Sequence, residues 1–235
     1  MKISTGTSGW SIGSYTNYAG VGYVSQSLPS SAALEHSALL RGTQSIANAL
    51  SKGGDPVFVP MAPDEWSVGV NYTIERSTVM RGSGYGTLIE AEAGVVSPFF
   101  TIAADNVTIS GIRFKGGATV TKCLYITGND VTIQDCVFDG FATSIHVNGA
   151  ARFVIKNCRF LNQTNAIDID NGDYGIISEN HIQSGSASQI LLDATSERNT
   201  VSVNNAGAHA SAISVSTSSS QFNVKAGNQP PAVTT

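Results

Sequence analysis

Residues 100–115 read FTIAADNVTISGIRFK, residues 124–139 read LYITGNDVTIQDCVFD, and residues 145–161 read IHVNGAARFVIKNCRFL. Aligned, each begins with an apolar-x-apolar triplet, passes a polar turn and enters a second alternating segment. The triplets continue as Ile167-Asp168-Ile169, Ile190-Leu191-Leu192 and Ile213-Ser214-Val215, and their third positions, 102, 126, 147, 169, 192 and 215, lie 24, 21, 22, 23 and 23 residues apart. The second segments repeat too, with anchors at Ile109, Ile133, Ile155, Ile177 and Val201. A self-similar period of this length marks units too small to bury their own apolar face, so they must stack. Leucine-rich repeats have a similar period but need a fixed Leu spacing and usually a helical segment. Here alternation of period two dominates. The expected fold is all-β, a parallel β-helix whose coils lie about 4.8 Å apart. Like residues then form columns: Ile109, Ile133, Ile155, Ile177, Val201 is one inside column, and Phe114, Phe138, Phe160, Ile182, Ala206 is another.

Composition agrees. Of 235 residues 13% are charged and 24 are Gly, which favours an extended β protein with many tight turns. The formal net charge is -4 with no Lys/Arg cluster, which argues against nucleic acid. No apolar run approaches the ~20 residues of a membrane span, and the opening MKISTGTSGW has no apolar core of a secretory signal. Three Cys argue against a disulfide framework. Cys136 and Cys158, one coil apart in the column begun by Ile112, read as small buried apolar residues.

Four regions are expected: an attachment arm over 1–35, a capping helix region over 36–54, the β-helix over 55–228 and a tail over 229–235. The arm lacks either period yet carries Trp10, Tyr15, Tyr18 and Tyr23, more aromatics than a solvated segment holds, so it reads as a partner-binding arm. Leu34, Ala38, Leu39, Ile46, Ala49 and Leu50 fit helical spacing, with Thr43 as an N-cap and Gly53-Gly54 beyond the end. Such a helix can cover the open end of the first coil.

The next stretch is more specific. A short helix, Gly-Gly, the strand Val57-Phe58-Val59-Pro60, the segment Tyr72-Thr73-Ile74 and then VMRGSGYGTLI from Val79 resemble the opening coils of pectate-lyase-like right-handed parallel β-helices of the bacteriophage tailspike and virion spike type. The resemblance covers about Thr43 to Val224. In that family the Arg-Gly-x-Gly-x-Gly-Thr element turns between coils, with Gly82, Gly84 and Gly86 supplying angles that a Cβ forbids. The same element leads into a strand, which excludes a nucleotide loop, since that needs a helix N-terminus. The resemblance implies a virion protein that trimerises about the β-helix axis.

Alternation sends the middle of each triplet outward, giving the column Thr101, Tyr125, His146, Asp168, Leu191, Ser214 and beside it Ala103, Thr127, Asn148, Asp170, Asp193, Ser216. Carbohydrate-cleaving β-helices place paired carboxylates on such a face, so His146, Asp168, Asp170 and Asp193 are the catalytic candidates if the chain is an enzyme. Against them, short polar residues on an exposed sheet need no function, and Tyr125 is the only aromatic platform in these columns. The run from Asp168 to Asp173 fails as an EF-hand loop because its Gly is one position early. His181 falls in an outward column with Arg113, Val137, Arg159 and Asn205, and His36 and His209 have no acidic or Cys neighbours at ligand spacing, so no metal or other cofactor is expected. On the second segments the outward column Thr108, Thr132, Val154, Ile176, Thr200 is more apolar than a monomer's surface should be, and Val154 and Ile176 are the expected oligomer interface.

The expectation is therefore a non-enzymatic bacteriophage virion protein, a short trimeric spike or capsid-decorating protein on the virion surface. Its arm would hold other virion proteins, capsid or tail, and host polysaccharide is a further partner. The alternative is a tailspike-like depolymerase, a glycoside hydrolase or polysaccharide lyase cutting that polysaccharide.

Overall fold

The computed structural model describes residues 16–18, 21–23, 46, 50, 56–59, 61, 66–117, 120–185, 189–205, 213–215, 224–228 and 233–234. The chain is a right-handed parallel β-helix built from three sheets. The triplets form the third sheet, of eight strands, which includes Phe100–Ile102, Lys122–Ile126, Thr143–Asn148, Asn165–Asp170, Ile190–Leu192 and Ile213–Val215. The second segments form the first sheet, which includes Val107–Ser110, Thr132–Gln134, Val154–Lys156, Ile176–Ser178 and Thr200–Ser202. Between them runs the second sheet, with Arg113–Lys115, Val137–Asp139, Arg159–Gln163 and His181–Gly185.

Registers pair the residues as the repeat lines them up: Ile109 with Ile133, Ile155 and Ile177, then Val201. All five are fully buried. Phe114, Phe138 and Phe160 stack with centroids 5.5 and 5.2 Å apart and rings 12° from parallel. Such columns give every coil the same neighbour above and below, so the core is one continuous cluster. Ala206, the last member expected in the aromatic column, lies outside the described residues.

Gly82, Gly84 and Gly86 serve different needs. Gly84 alone of the three has a positive φ, 87°. Gly82 is needed for space, since a Cβ there would run into the Gly111 carbonyl oxygen. Tight turns recur down the rod instead at a column of non-glycine residues, Asp135, Asn157, Glu179 and Val203, with φ of 56°, 49°, 58° and 55°.

Most of the arm and capping region, Trp10 and Tyr15 included, lies outside the described residues. Ile46 and Leu50 are helical and buried. Thr16–Tyr18 pairs antiparallel with Val21–Tyr23, which carries Tyr18's partner Val21 and runs parallel to Val57–Val59. This hairpin continues the first sheet beyond its first coil. An arm acting only between molecules was the expectation; its middle hydrogen-bonds within the chain, because the edge of Val57–Val59 offers unpaired backbone groups.

Candidate functional site

The chemistry-bearing residues converge on the outer face of the third sheet. Tyr125, His146, Asp168 and Leu191 lie in register on successive coils, and Asn148 pairs with Asp170. Because Ile167 and Ile169 are buried inside the coil, Asp168 and Asp170 both project outward, two residues apart on one strand.

His146 was expected on an exposed face and is instead only 6% exposed. Three neighbours enclose it. The Lys122 ammonium lies 2.6 Å from Nδ1, Asp170 Oδ2 lies 2.8 Å from Nε2, and the Tyr125 ring meets the imidazole edge-on at 5.2 Å between centroids. Asn148 Nδ2 donates to the Tyr125 hydroxyl at 2.6 Å. Lys122 has no place in the sequence-derived columns. Its side chain comes outward because Cys123 and Leu124 both point into the core, breaking the alternation just before the triplet.

The acids differ in environment. Burial pushes the Asp168 carboxyl above the ordinary carboxylate range and the charge of Asp170 adds to this, while the charge of Lys122 pulls the other way. Its Oδ1 is buried and, among the described residues, has no hydrogen-bond partner. Asp193, expected to join the cluster, is taken up by its own turn. Its carboxylate accepts from Asn171 N and Thr195 N, both at 3.1 Å, and from Thr195 Oγ1 and Ser196 Oγ, both at 2.6 Å. Burial pushes Asp193 up, but these donors outweigh it and hold the carboxyl below its usual value.

Donor atoms of His146, Asp168 and Asp170 lie within 4.8 Å of one another. As arranged, His146 and Asp170 form a hydrogen-bonded chain with Lys122: an ammonium has only donors, so Nδ1 accepts from Lys122 and Nε2 keeps the proton it offers to Asp170. A cation would have to displace that proton and tolerate the nearby lysine. Cys123 and Cys158 are buried, and burial pushes both thiols well up, so neither offers a thiolate.

Elsewhere, Val154 and Ile176 are register neighbours on the outer face of the first sheet, and Ile176 is 45% exposed. Arg113 bridges to Asp139 at 2.8 Å and lies over the Tyr85 ring at 4.8 Å on the second sheet. No helix of the described residues is long and apolar enough to cross a membrane.

Among solved structures, the chain is similar to the catalytic domain of a GH87 alpha-1,3-glucanase in complex with nigerose, with TM-score 0.54, 17% identity, 77% of this chain covered and 34% of that chain. A variant of that domain gives TM-score 0.54 and 18% identity over 76% of this chain and 34% of that one. ORF18 of Geobacillus virus E2 matches at TM-score 0.33 and 13% identity, over 79% and 56% of the two chains. The glucanase likeness is one of fold, and this chain spans about a third of those domains. No curated protein matches the sequence. The model of the right handed beta helix region matches residues 97–228, more than half of the sequence, and the chain belongs to that right-handed β-helix family.

Proposed function

We propose that this protein cleaves glycosidic bonds of a polysaccharide laid along the outer face of its third sheet, in place of the non-enzymatic role expected from sequence. The observation that carries the reading is the pairing of a carboxyl pushed upward, Asp168, with a second carboxylate, Asp170, that accepts a hydrogen bond from a buried imidazole. Two carboxyl groups in unlike environments are what glycoside cleavage requires: one keeps a proton to give, the other keeps its charge. Asp168 protonates the glycosidic oxygen as its bond to the anomeric carbon breaks, and Asp170 bonds to that carbon. Asp168 then takes a proton from water, whose oxygen displaces Asp170.

Carboxyl oxygens within 4.8 Å are nearer the ~5–5.5 Å of retaining enzymes than the ~6.5–9.5 Å that admits a water between them. Retained anomeric configuration is therefore expected. The test is release of reducing ends from a panel of glucans and bacterial surface polysaccharides. Asp168→Asn should lower the rate by roughly 10²–10⁴-fold with unchanged circular dichroism. An inert wild type, or a fully active variant, would overturn the reading.

A second reading has its own support. The connections leaving this face, residues 103–106, 127–131, 149–153 and 171–175, are only four or five residues long, so that edge of the face carries a low wall. A virion spike that holds a host glycan without cutting it suits that shape. In this reading copies meet as a trimer at Val154 and Ile176, and the first 35 residues, with Trp10, Tyr15, Tyr18 and Tyr23, attach the rod to capsid or tail. Binding of an uncut glycan, and a trimeric mass that falls with Ile176→Lys, are its expected results.

A further inference from the structure

Among the described residues, the imidazole of His146 is the most enclosed polar group of the outward columns, and its two contacts constrain each other. Lys122 Nζ approaches Nδ1 at 2.6 Å. An ammonium cannot accept, so Nδ1 must offer a lone pair and the ring proton must sit on Nε2. Nε2 then donates to Asp170 Oδ2 at 2.8 Å. An imidazolium paired with Asp170 would set a proton on Nδ1 against the Lys122 ammonium, donor facing donor, so the contact favours the neutral ring. The groups around the ring come from three coils: Lys122 and Tyr125 above, Asp168 and Asp170 on the strand below, and Asp193 one coil further. Tyr125 packs edge-on against the ring and adds no charge.

We propose that Lys122 is a positioning residue of this site: by donating to Nδ1 it fixes His146 as the neutral Nε2–H tautomer, which holds the Asp170 carboxylate in place beside Asp168. His146 then serves as a rigid donor and takes no part in proton transfer to substrate. Short strong hydrogen bonds to a buried ring hold both its tautomer and its orientation. The two links join adjacent coils, so the arrangement depends on the stacking that makes the fold. The effect on cleavage rests on the glycosidase reading; the tautomer does not.

Nitrogen-15 NMR of the histidine rings at neutral pH decides the tautomer, with His146→Gln used to assign the signal. In the wild type Nε2 should be protonated and Nδ1 bare. In Lys122→Met, Nδ1 should shift toward the protonated position, and Lys122→Arg, which keeps a donor, should restore the wild-type pattern. A doubly protonated ring in the wild type, or an unchanged Nδ1 signal in Lys122→Met, would overturn the proposal. In the cleavage assay Lys122→Met should lower kcat by roughly ten- to a hundredfold with KM little changed, and Lys122→Arg should recover most of it. Equal loss in both variants would mean that charge donation to the ring is not what matters. A wild type that shows the expected tautomer but cleaves nothing refutes the glycosidase reading and leaves the role of Lys122 standing.

Discussion

Asp168 and Asp193 lie one coil apart on the same face, and folding affects their charges in opposite directions. A carboxyl raised above its unfolded value, as Asp168 is, contributes stability below the ordinary carboxyl pKa and loses it as pH rises through the raised one. Above the ordinary carboxyl pKa this group therefore works against the fold, through the cost of either ionising it in place or holding it protonated. Asp193 is lowered, so its contribution is present above the ordinary value and is lost as pH falls through the depressed one. Asp168→Asn should accordingly raise the melting temperature at pH 7 and give no gain near pH 3. Asp193→Ala should lower stability at pH 7 by about 1 kcal/mol, below the ~1.5–3 kcal/mol of hydrogen bonds to a charged group because the carboxylate is partly in water, and by less near pH 3. Thermal melts at the two pH values check both signs. A residue that costs stability where it would work is the usual trade at a functional site. The sequence showed the outward columns and so named His146, Asp168 and Asp170. It could not show Lys122, because strict alternation from Leu124 points residue 122 inward. The signal available was the column of Cys123, Ser144 and Ala166, fully buried beside equally buried Leu124, Ile145 and Ile167, where two successive inward residues on each coil reset the phase. Nor could it show that the imidazole is enclosed, since that depends on side chains reaching across coils.

Among the elements, the turn between the first and second sheets changes its chemistry down the rod. Its inner column runs Ile112, Cys136, Cys158, Asn180, Asn204 and Asn228, all buried. The asparagines form a ladder. Asn204 Nδ2 donates to Ile177 O at 2.9 Å and Asn228 Oδ1 at 3.1 Å, while its Oδ1 accepts from Asn180 N at 3.1 Å and Asn180 Nδ2 at 3.0 Å. The cysteines above occupy the same position with weaker donors, Cys158 Sγ reaching Lys156 O at 3.3 Å and Ile133 O at 3.8 Å. Reading these thiols as small apolar fillers caught their burial and missed their alignment with the asparagines. The reason is that a thiol and an amide share no sequence pattern. Asn204→Leu leaves an inward amide of Asn180 and the Ile177 carbonyl without this partner, at a cost of about 2–4 kcal/mol. Cys158→Ala at the equivalent position should cost clearly less, since it loses two weak bonds and little volume. Denaturant unfolding of the two variants checks the order, and equal losses would mean that the ladder adds nothing beyond packing.

For the molecule as a whole, the repeat predicted the stack and its registers because each coil supports only its neighbours. It said nothing about how the stack ends, since end-capping is done by residues outside the repeat. The hairpin of Thr16–Tyr18 and Val21–Tyr23 lies on the first coil at Val57–Val59, and this changes what removal of the arm should do. Stability in a coil-by-coil stack is local, so a protein starting at Ser37 should keep its β-rich circular dichroism and most of its melting temperature. It will, however, expose the backbone edge of Val57–Val59, a row of unpaired donors and acceptors that readily pairs with another chain. The truncated protein should therefore form larger species at concentrations where the intact protein keeps a defined mass, which light scattering after size exclusion will read. A truncated protein with the same subunit number and solubility as the intact one would mean that the hairpin does not guard the edge, and would return the arm to a role purely between molecules.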